Sequence, residues 1–268
     1  AFLRFEYPEG HTPYLVLDGY NMQSEFNVSP DNMEITGWVN NCRHMGDVKD
    51  KFRCWVVIRF DKPFREYGDW KNGMYLRFDD GVEVNVRTSS SYISLEQART
   101  ALRMELGSME NIDEVCAHVR NAWNDVLGKI DVSGASEEEL RTFYCCLFRS
   151  NLFSRKFYEL KEDGKPYYFS PYDGGIHDGY MFTDNGFWDT FRSQFPLTVI
   201  LHPEMQGRYM QALLDAYDQM GWLPQWSQPG ETGGMVGNHA ISLLADAWAK
   251  GIRTFDPGKA LDAYYHEA

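Results

Sequence analysis

Over residues 51–60 apolar residues recur with a period of two, at positions 52, 54, 56, 58 and 60. A period of two puts every second side chain on one sheet face, so this run predicts a half-buried strand, closed by Pro63. Shorter runs at 15–17, 35–39, 74–78 and 82–86 read the same way. Between the last two lie Asp80 and Gly81, a pair that predicts a tight hairpin with positive φ at both turn residues. The first hundred residues therefore read as antiparallel sheet, most simply a sandwich.

The pattern changes near Ser94. Residues 95–106 favour helix, and Ile112, Val115, Val119, Val126 and Ile130 recur at helical spacing. Ser136 with Glu139 three residues on is a capping box. The helix it opens carries Leu140, Phe143, Tyr144, Leu147 and Phe148 on one broad face. Residues 155–182 hold Gly164, Pro166, Pro171, Gly174, Gly175 and Gly179, and read as a long loop of the kind that carries function. Helices are then expected at 186–201, bent or divided by Pro196, and at 204–220, with Met205, Tyr209, Leu213, Tyr217 and Met220 on one face. Two more are expected, at 238–250 with Ile241, Leu244 and Trp248 inward, and from Pro257 onward. A second loop rich in glycine and aromatics spans 221–237. Strands first and helices afterwards predict two segregated units, with a boundary between about 88 and 110.

Composition narrows the function. The 268 residues are 43% hydrophobic and 24% charged, the profile of a globular chain of one large or two smaller domains. A net charge of −13 without a Lys/Arg cluster argues against a nucleic-acid partner. No apolar run reaches the ~18–20 residues of a membrane helix, and the N-terminus lacks the pattern of a signal peptide. The five cysteines (Cys42, Cys54, Cys116, Cys145 and Cys146) include no C-x-x-C spacing, so they suggest neither a disulfide framework nor zinc. They allow a single Cys42–Cys54 bridge across a hairpin and fix no compartment. Sequence motifs of zinc proteases, serine hydrolases and nucleotide-binding loops are absent. Aromatics reach 15%, and Trp and Tyr can stack on sugar rings.

The densest chemistry lies at 182–192. Thr183 or Asp184 can cap the helix that follows, and Asp189 and Arg192, three apart, can pair on its surface. Phe187, Trp188 and Phe191 surround them, so the segment is expected to be largely buried. A buried charge must be paired or hold a polar ligand. Asp189 beside Trp188 therefore also suits hydroxyl binding. Asn238 reads as an N-cap and His239 as a satisfied polar residue, with sugar contact the alternative for both. Trp222 and Trp226 read as packing residues or a sugar platform. Asp246 and Lys250 are spaced as an i,i+4 pair.

The run Tyr-Met-Phe-Thr-Asp-Asn-Gly-Phe-Trp-Asp-Thr-Phe-Arg (180–192), followed by Phe-Pro-Leu (195–197), resembles glycoside hydrolase family 92, the calcium-dependent exo-acting α-mannosidases. Gly-Trp-Leu-Pro-Gln-Trp (221–226), Met-Val-Gly-Asn-His-Ala (235–240) and Ala-Asp-Ala-Trp-Ala-Lys-Gly-Ile (245–252) continue the likeness in order. Upstream, residues 88–98 and 140–144 agree. The resemblance implies the end of a β-sandwich at 1–93, a helical linker at 94–135 and the first part of an (α/α)6 barrel at 136–268. It implies inverting hydrolysis of terminal α-mannose from glycans with Ca2+ assistance, by an acid and a base roughly 6.5–9.5 Å apart. Family members are far longer. The acid, the base and most calcium ligands are thus expected downstream of Ala268, and no catalytic residue is assigned here. The carry-over is a sugar-contacting pair, Trp188 and Asp189, with Asp184, Arg192, Asn238 and His239 in support. Implied partners are a mannose-containing glycan and the remainder of the same enzyme, in the periplasm or outside the cell. The isolated polypeptide is expected to be inactive and to expose an apolar face. The alternatives are an α-glucoside hydrolase or phosphorylase of similar plan, and a non-catalytic carbohydrate-binding module.

Overall fold

In the computed structural model, residues 1–19, 23–40, 52–231, 233–235 and 237–267 are described. The chain divides into two units. The first takes residues 1–40, 52–121 and 159–164, the second 122–158 and 165–267.

The first unit is a sandwich of antiparallel sheets. Its strands are β1 (Phe2–Glu6), β2 (Tyr14–Asp18), β3 (Ser24–Val28), β4 (Glu34–Asn40), β5 (Arg53–Phe60), β6 (Glu66–Trp70), β7 (Gly73–Arg77) and β8 (Glu83–Ser91). One sheet runs β1-β8-β5-β4-β3, the other β2-β7-β6. The alternation seen in the sequence is the alternation of burial: Met74 and Leu76 of β7, and Val84 and Val86 of β8, point inward. They meet Ile35, Phe60, Phe64 and Phe78 in one core. Each such side chain removed from water stabilises the fold by about 1.5–3 kcal/mol. The opposite face of β5 is covered too. Val57 packs there against Ala98, Leu102 and Leu106 of helix α1 (Leu95–Leu106). Ser94 caps α1 by accepting from the Gln97 amide.

The hairpin expected at Asp80–Gly81 does not form. β7 pairs with β2 and β6, whereas β8 pairs with β1 and β5, so the turn carries the chain from one sheet to the other. Gly81 takes φ 69° as expected, but Asp80 does not join it in the left-handed region. The Cys42–Cys54 pairing falls on a residue outside those described.

Helix α2 (Ile112–Leu127) leads toward the second unit, where α3 (Glu137–Ser150) opens with the capping box expected of Ser136 and Glu139. Of its broad apolar face only Leu147 is buried; Phe143 and Phe148 are each 36% exposed. The segment 155–182, expected as loop, contains β9 (Arg155–Lys156), β10 (Glu159–Leu160), β11 (Pro166–Phe169), β12 (Ile176–Asp178) and the start of β13 (Phe182–Thr183). β11 and β12 form a hairpin, and β13 pairs with β9. These strands are too short to leave a period in the sequence. β10 returns to the first unit, where the Gln97 amide donates to the Leu160 carbonyl and the Tyr92 N–H to the Glu159 carboxylate.

The helix expected over 186–201 is two, α4 (Phe187–Thr190) and α5 (Gln194–Leu201). The break precedes Pro196, which sits in the first turn of α5, where a missing N–H costs nothing. α6 (Pro203–Met220) ends at Gly221, in the left-handed conformation that favours glycine at a helix end. Its most buried positions are Gln206, Met210 and Leu214, so the core face is rotated from the expected one, leaving Tyr209 and Tyr217 on its flank. β15 (Trp226–Ser227), α7 (Ala240–Ala249) and α8 (Pro257–Glu267) complete the chain. On α7 the inward residues are Ala240, Leu243, Leu244 and Ala247, while Ile241 and Trp248 pack partly buried at the edge. Asp246 and Lys250 pair as expected, at 2.7 Å.

Candidate functional site

The site builds from two strands of two residues. β14 (Asn185–Gly186) pairs with β15, bringing Asn185 opposite Ser227 and Gly186 opposite Trp226. Just before β14, Asp184 takes φ 60°, a conformation that Asp and Asn tolerate better than most side chains. Its carboxylate is held by Arg155 Nε at 2.7 Å. Neither Thr183 nor Asp184 caps α4. The N-cap is Gly186, which has no side chain to cap with; Asp184 binds Arg155 instead, and Thr183 lies in the β13–β9 pair. Thr190 Oγ1 closes the corner, donating to Asn185 Oδ1 at 2.8 Å.

α4 then sorts its side chains by face. Phe187 and Phe191, one turn apart, go to the core that Phe195, Met210 and Leu243 share. Trp188 and Asp189 point away and are exposed. The expectation of a largely buried segment thus holds for the phenylalanines and fails for this pair. Among the described residues no hydrogen bond or ion pair engages the Asp189 carboxylate. Arg192 does not bind it either: the guanidinium donates to the Trp188 carbonyl at 2.9 Å and lies 4.4 Å over the Phe191 ring.

Gly186 shows how tightly the corner is packed. A methyl group added there would sit 2.1 Å from Cζ3 of Trp226 and 2.7 Å from Oδ2 of Asp189. The indole ring and the free carboxylate therefore lie against the same backbone atom. Only a residue without a side chain leaves room for both.

The remaining expected residues sit nearby. His239 also stacks on Phe191, at 4.6 Å between ring centres and 11° between planes. It occupies the N-cap position of α7 that was expected of Asn238, without a side-chain capping bond. The Asn238 amide instead donates to Glu267 of α8, and its Oδ1 is buried without a partner. Glu267 also accepts the Leu223 N–H at 2.6 Å. Arg192 and His239 thus both lie against the Phe191 ring, Trp188 and Asp189 face the other way, Asp184 is held by Arg155 and Asn238 is tied to α8. Gly186, Arg155, Glu231 and Glu267 were not found from sequence. Glu231 alone left a trace, as the one acid in a glycine-rich loop.

Calcium takes six to eight oxygen ligands. Among the described residues no three His, Cys, Asp or Glu side chains gather to hold a metal, and one free carboxylate does not make such a cage. No described helix is long and apolar enough to cross a membrane.

Beneath the corner a small cavity is lined by Ser154, Tyr172, Asn185, Tyr209 and Ser227 together with apolar groups. The Tyr172 hydroxyl and Ser227 Oγ lie 3.0 Å apart. Burial raises the Tyr209 phenol to about 12, so it stays a neutral packing group.

Residues 97–268 match the model of the glycosyl hydrolase family 92 catalytic domain. Over 99% of its length the chain superposes on an inverting mannosidase of family GH92 from Bacteroides thetaiotaomicron VPI-5482, with a TM-score of 0.92 and 40% identity. It covers 38% of that protein. An α-mannosidase of the same family and organism superposes with a TM-score of 0.83 at 23% identity, and the chain covers 39% of it. That second protein has also been solved with mannoimidazole. No curated protein matches. The family model spans more than half of the chain, and the superposition extends through sandwich and helices alike: the chain belongs to glycosyl hydrolase family 92.

Proposed function

We propose that this chain supplies one wall of the sugar site of an inverting α-mannosidase, with Asp189 accepting hydrogen bonds from mannose hydroxyls beside Trp188. The observation that carries this is the Asp189 carboxylate, exposed beside the Trp226 indole and packed against a glycine that leaves it room. A carboxylate is a strong acceptor for paired hydroxyls, and a nearby aromatic face suits the apolar side of a pyranose. The substrate is a mannose-containing glycan. The acid that protonates the leaving oxygen, the base that activates water and most ligands of calcium are assigned to the part of the enzyme beyond this chain. His239 and Arg192 support the corner by packing on Phe191, and Asp184 by fixing the bend before β14.

The test uses a polypeptide of family length that contains this chain. It is expected to hydrolyse 4-nitrophenyl α-mannopyranoside with inversion, followed by NMR of the released sugar, and to leave the α-glucoside intact. Asp189→Ala is expected to lower kcat/KM about 100-fold, the loss of one or two charge-assisted hydrogen bonds. Hydrolysis of α-glucosides at an equal rate, or full activity of the variant, overturns the assignment. Binding of mannose without turnover would favour a carbohydrate-binding module instead.

A further inference from the structure

Trp226 owes its place to one acidic side chain. Glu231 Oε2 accepts the backbone N–H of Gln225 at 2.7 Å and of Trp226 at 3.2 Å, and Oε1 accepts that of Gly233 at 2.7 Å. Ser227 and Glu231 also form a backbone bridge. The carboxylate thus ties both ends of the 225–233 loop to itself. No ion pair is made by Glu231 among the described residues, so its acceptor capacity goes to main-chain donors. Charge-assisted bonds of this kind hold a loop more firmly than neutral ones. What they hold is the short strand β15, and β15 lays the partly buried Trp226 ring on Gly186, beside the Asp189 carboxylate.

We infer that Glu231 is a positioning residue that fixes Trp226 as an aromatic wall of the hydroxyl-binding corner, where the ring takes the apolar face of the pyranose whose hydroxyls Asp189 grips. This rests on the mannoside reading given above. Glu231 touches no substrate and acts only through the ring. A platform built this way binds the sugar equally in the ground and transition states, so its loss falls on KM rather than kcat.

The experiment measures 4-nitrophenyl α-mannopyranoside hydrolysis by the family-length enzyme. Trp226→Ala is expected to raise KM about tenfold with kcat nearly kept, the size of one lost aromatic contact. Glu231→Ala is expected to reproduce most of that rise. In the Trp226→Ala background, Glu231→Ala should add less than about twofold, because the two residues form one unit. Trp226→Phe and Glu231→Gln should each recover most of the affinity. Glutamine can still offer an oxygen to the Gln225 and Trp226 amides. If Glu231→Ala does not fold, the contrast between Glu231→Gln and Trp226→Phe on one side and Trp226→Ala on the other decides the matter. A fall in kcat at constant KM marks Glu231 as mere fold support and overturns the inference, as does a multiplicative loss in the double variant. Wild-type KM in Trp226→Ala overturns it too. In each of these cases inactivity of Asp189→Ala leaves the mannoside reading standing, whereas full activity of Asp189→Ala removes both.

Discussion

The sandwich core and the Asp189 corner are ordered by different means. In the sandwich, order is spread over long ladders: β4 and β5 pair through seven consecutive positions, and eight apolar residues share one core. In the corner the strands are two residues long, and each tie rests on one side chain. Arg155 answers Asp184, Thr190 answers Asn185, and Glu231 answers three amides. Distributed order degrades gradually and singular order does not. Substitutions in the sandwich should therefore cost stability and spare chemistry, while those in the corner should cost chemistry at little expense in stability.

The sharpest test of that contrast is Asp189→Ala in the family-length enzyme. Its roughly 100-fold loss of kcat/KM should come with an unchanged melting midpoint, since no described group leans on that carboxylate. A lowered midpoint would mean that the corner is structural after all. Leu76→Ala should do the reverse. Leu76 is fully buried between the sheets, and its truncation should destabilise the sandwich by about 2–4 kcal/mol in chemical denaturation, with KM unchanged.

A third effect depends on pH. Burial pushes the Glu159 carboxyl above its ordinary 4.5, against the bonds from Ser91 and Tyr92 that favour the charged form. The folded chain then keeps this proton to a higher pH than the unfolded one. The contribution of Glu159 to stability is therefore greatest below about pH 4.5, falls as pH rises through the raised value, and is level above it. Glu159→Gln should flatten that part of a melting-midpoint profile, and an unaltered slope would show that Glu159 is not its source. The smallest effect is expected of Asp184→Asn. The Arg155 pair is partly exposed and worth about 0.5 kcal/mol, and asparagine keeps the left-handed bend, so kcat/KM should stay within about twofold. A large drop would move Asp184 from the frame of the site into its chemistry.

Much of this was legible in the residues and some was not, for physical reasons. The strands at 35–39 and 74–78 announced themselves because a sheet with one buried face imposes a period of two, whereas β5 is covered on both faces and carries apolar residues on both. The turn at Asp80–Gly81 was found, but not its destination, because the choice between sheets is made by packing that no local pattern records. On α4, the apolar neighbours of Asp189 suggested burial. Helical geometry sends Phe187 and Phe191 to one side and Trp188 and Asp189 to the other, and four residues are too few to display that division as a period. The Trp188–Asp189 pair stood out through its run of aromatics and acids. Gly186 and Glu231, which give the pair its surroundings, did not. Their importance lies in contacts between segments some forty residues apart in the chain.

The sheet order β1-β8-β5 also bears on how the chain is made. Phe2 pairs with Arg87 and Arg59 with Arg87 from the other side, so β1 and β5 lack the strand between them until β8 has emerged. At about 5–20 residues per second β1 waits roughly 4–17 s for β8, and the facing edge of β5 stays open for roughly 1–5 s. Open strand edges are templates for pairing with other chains. Nascent chains stalled before residue 83 should therefore be the ones that chaperones hold and that aggregate in their absence.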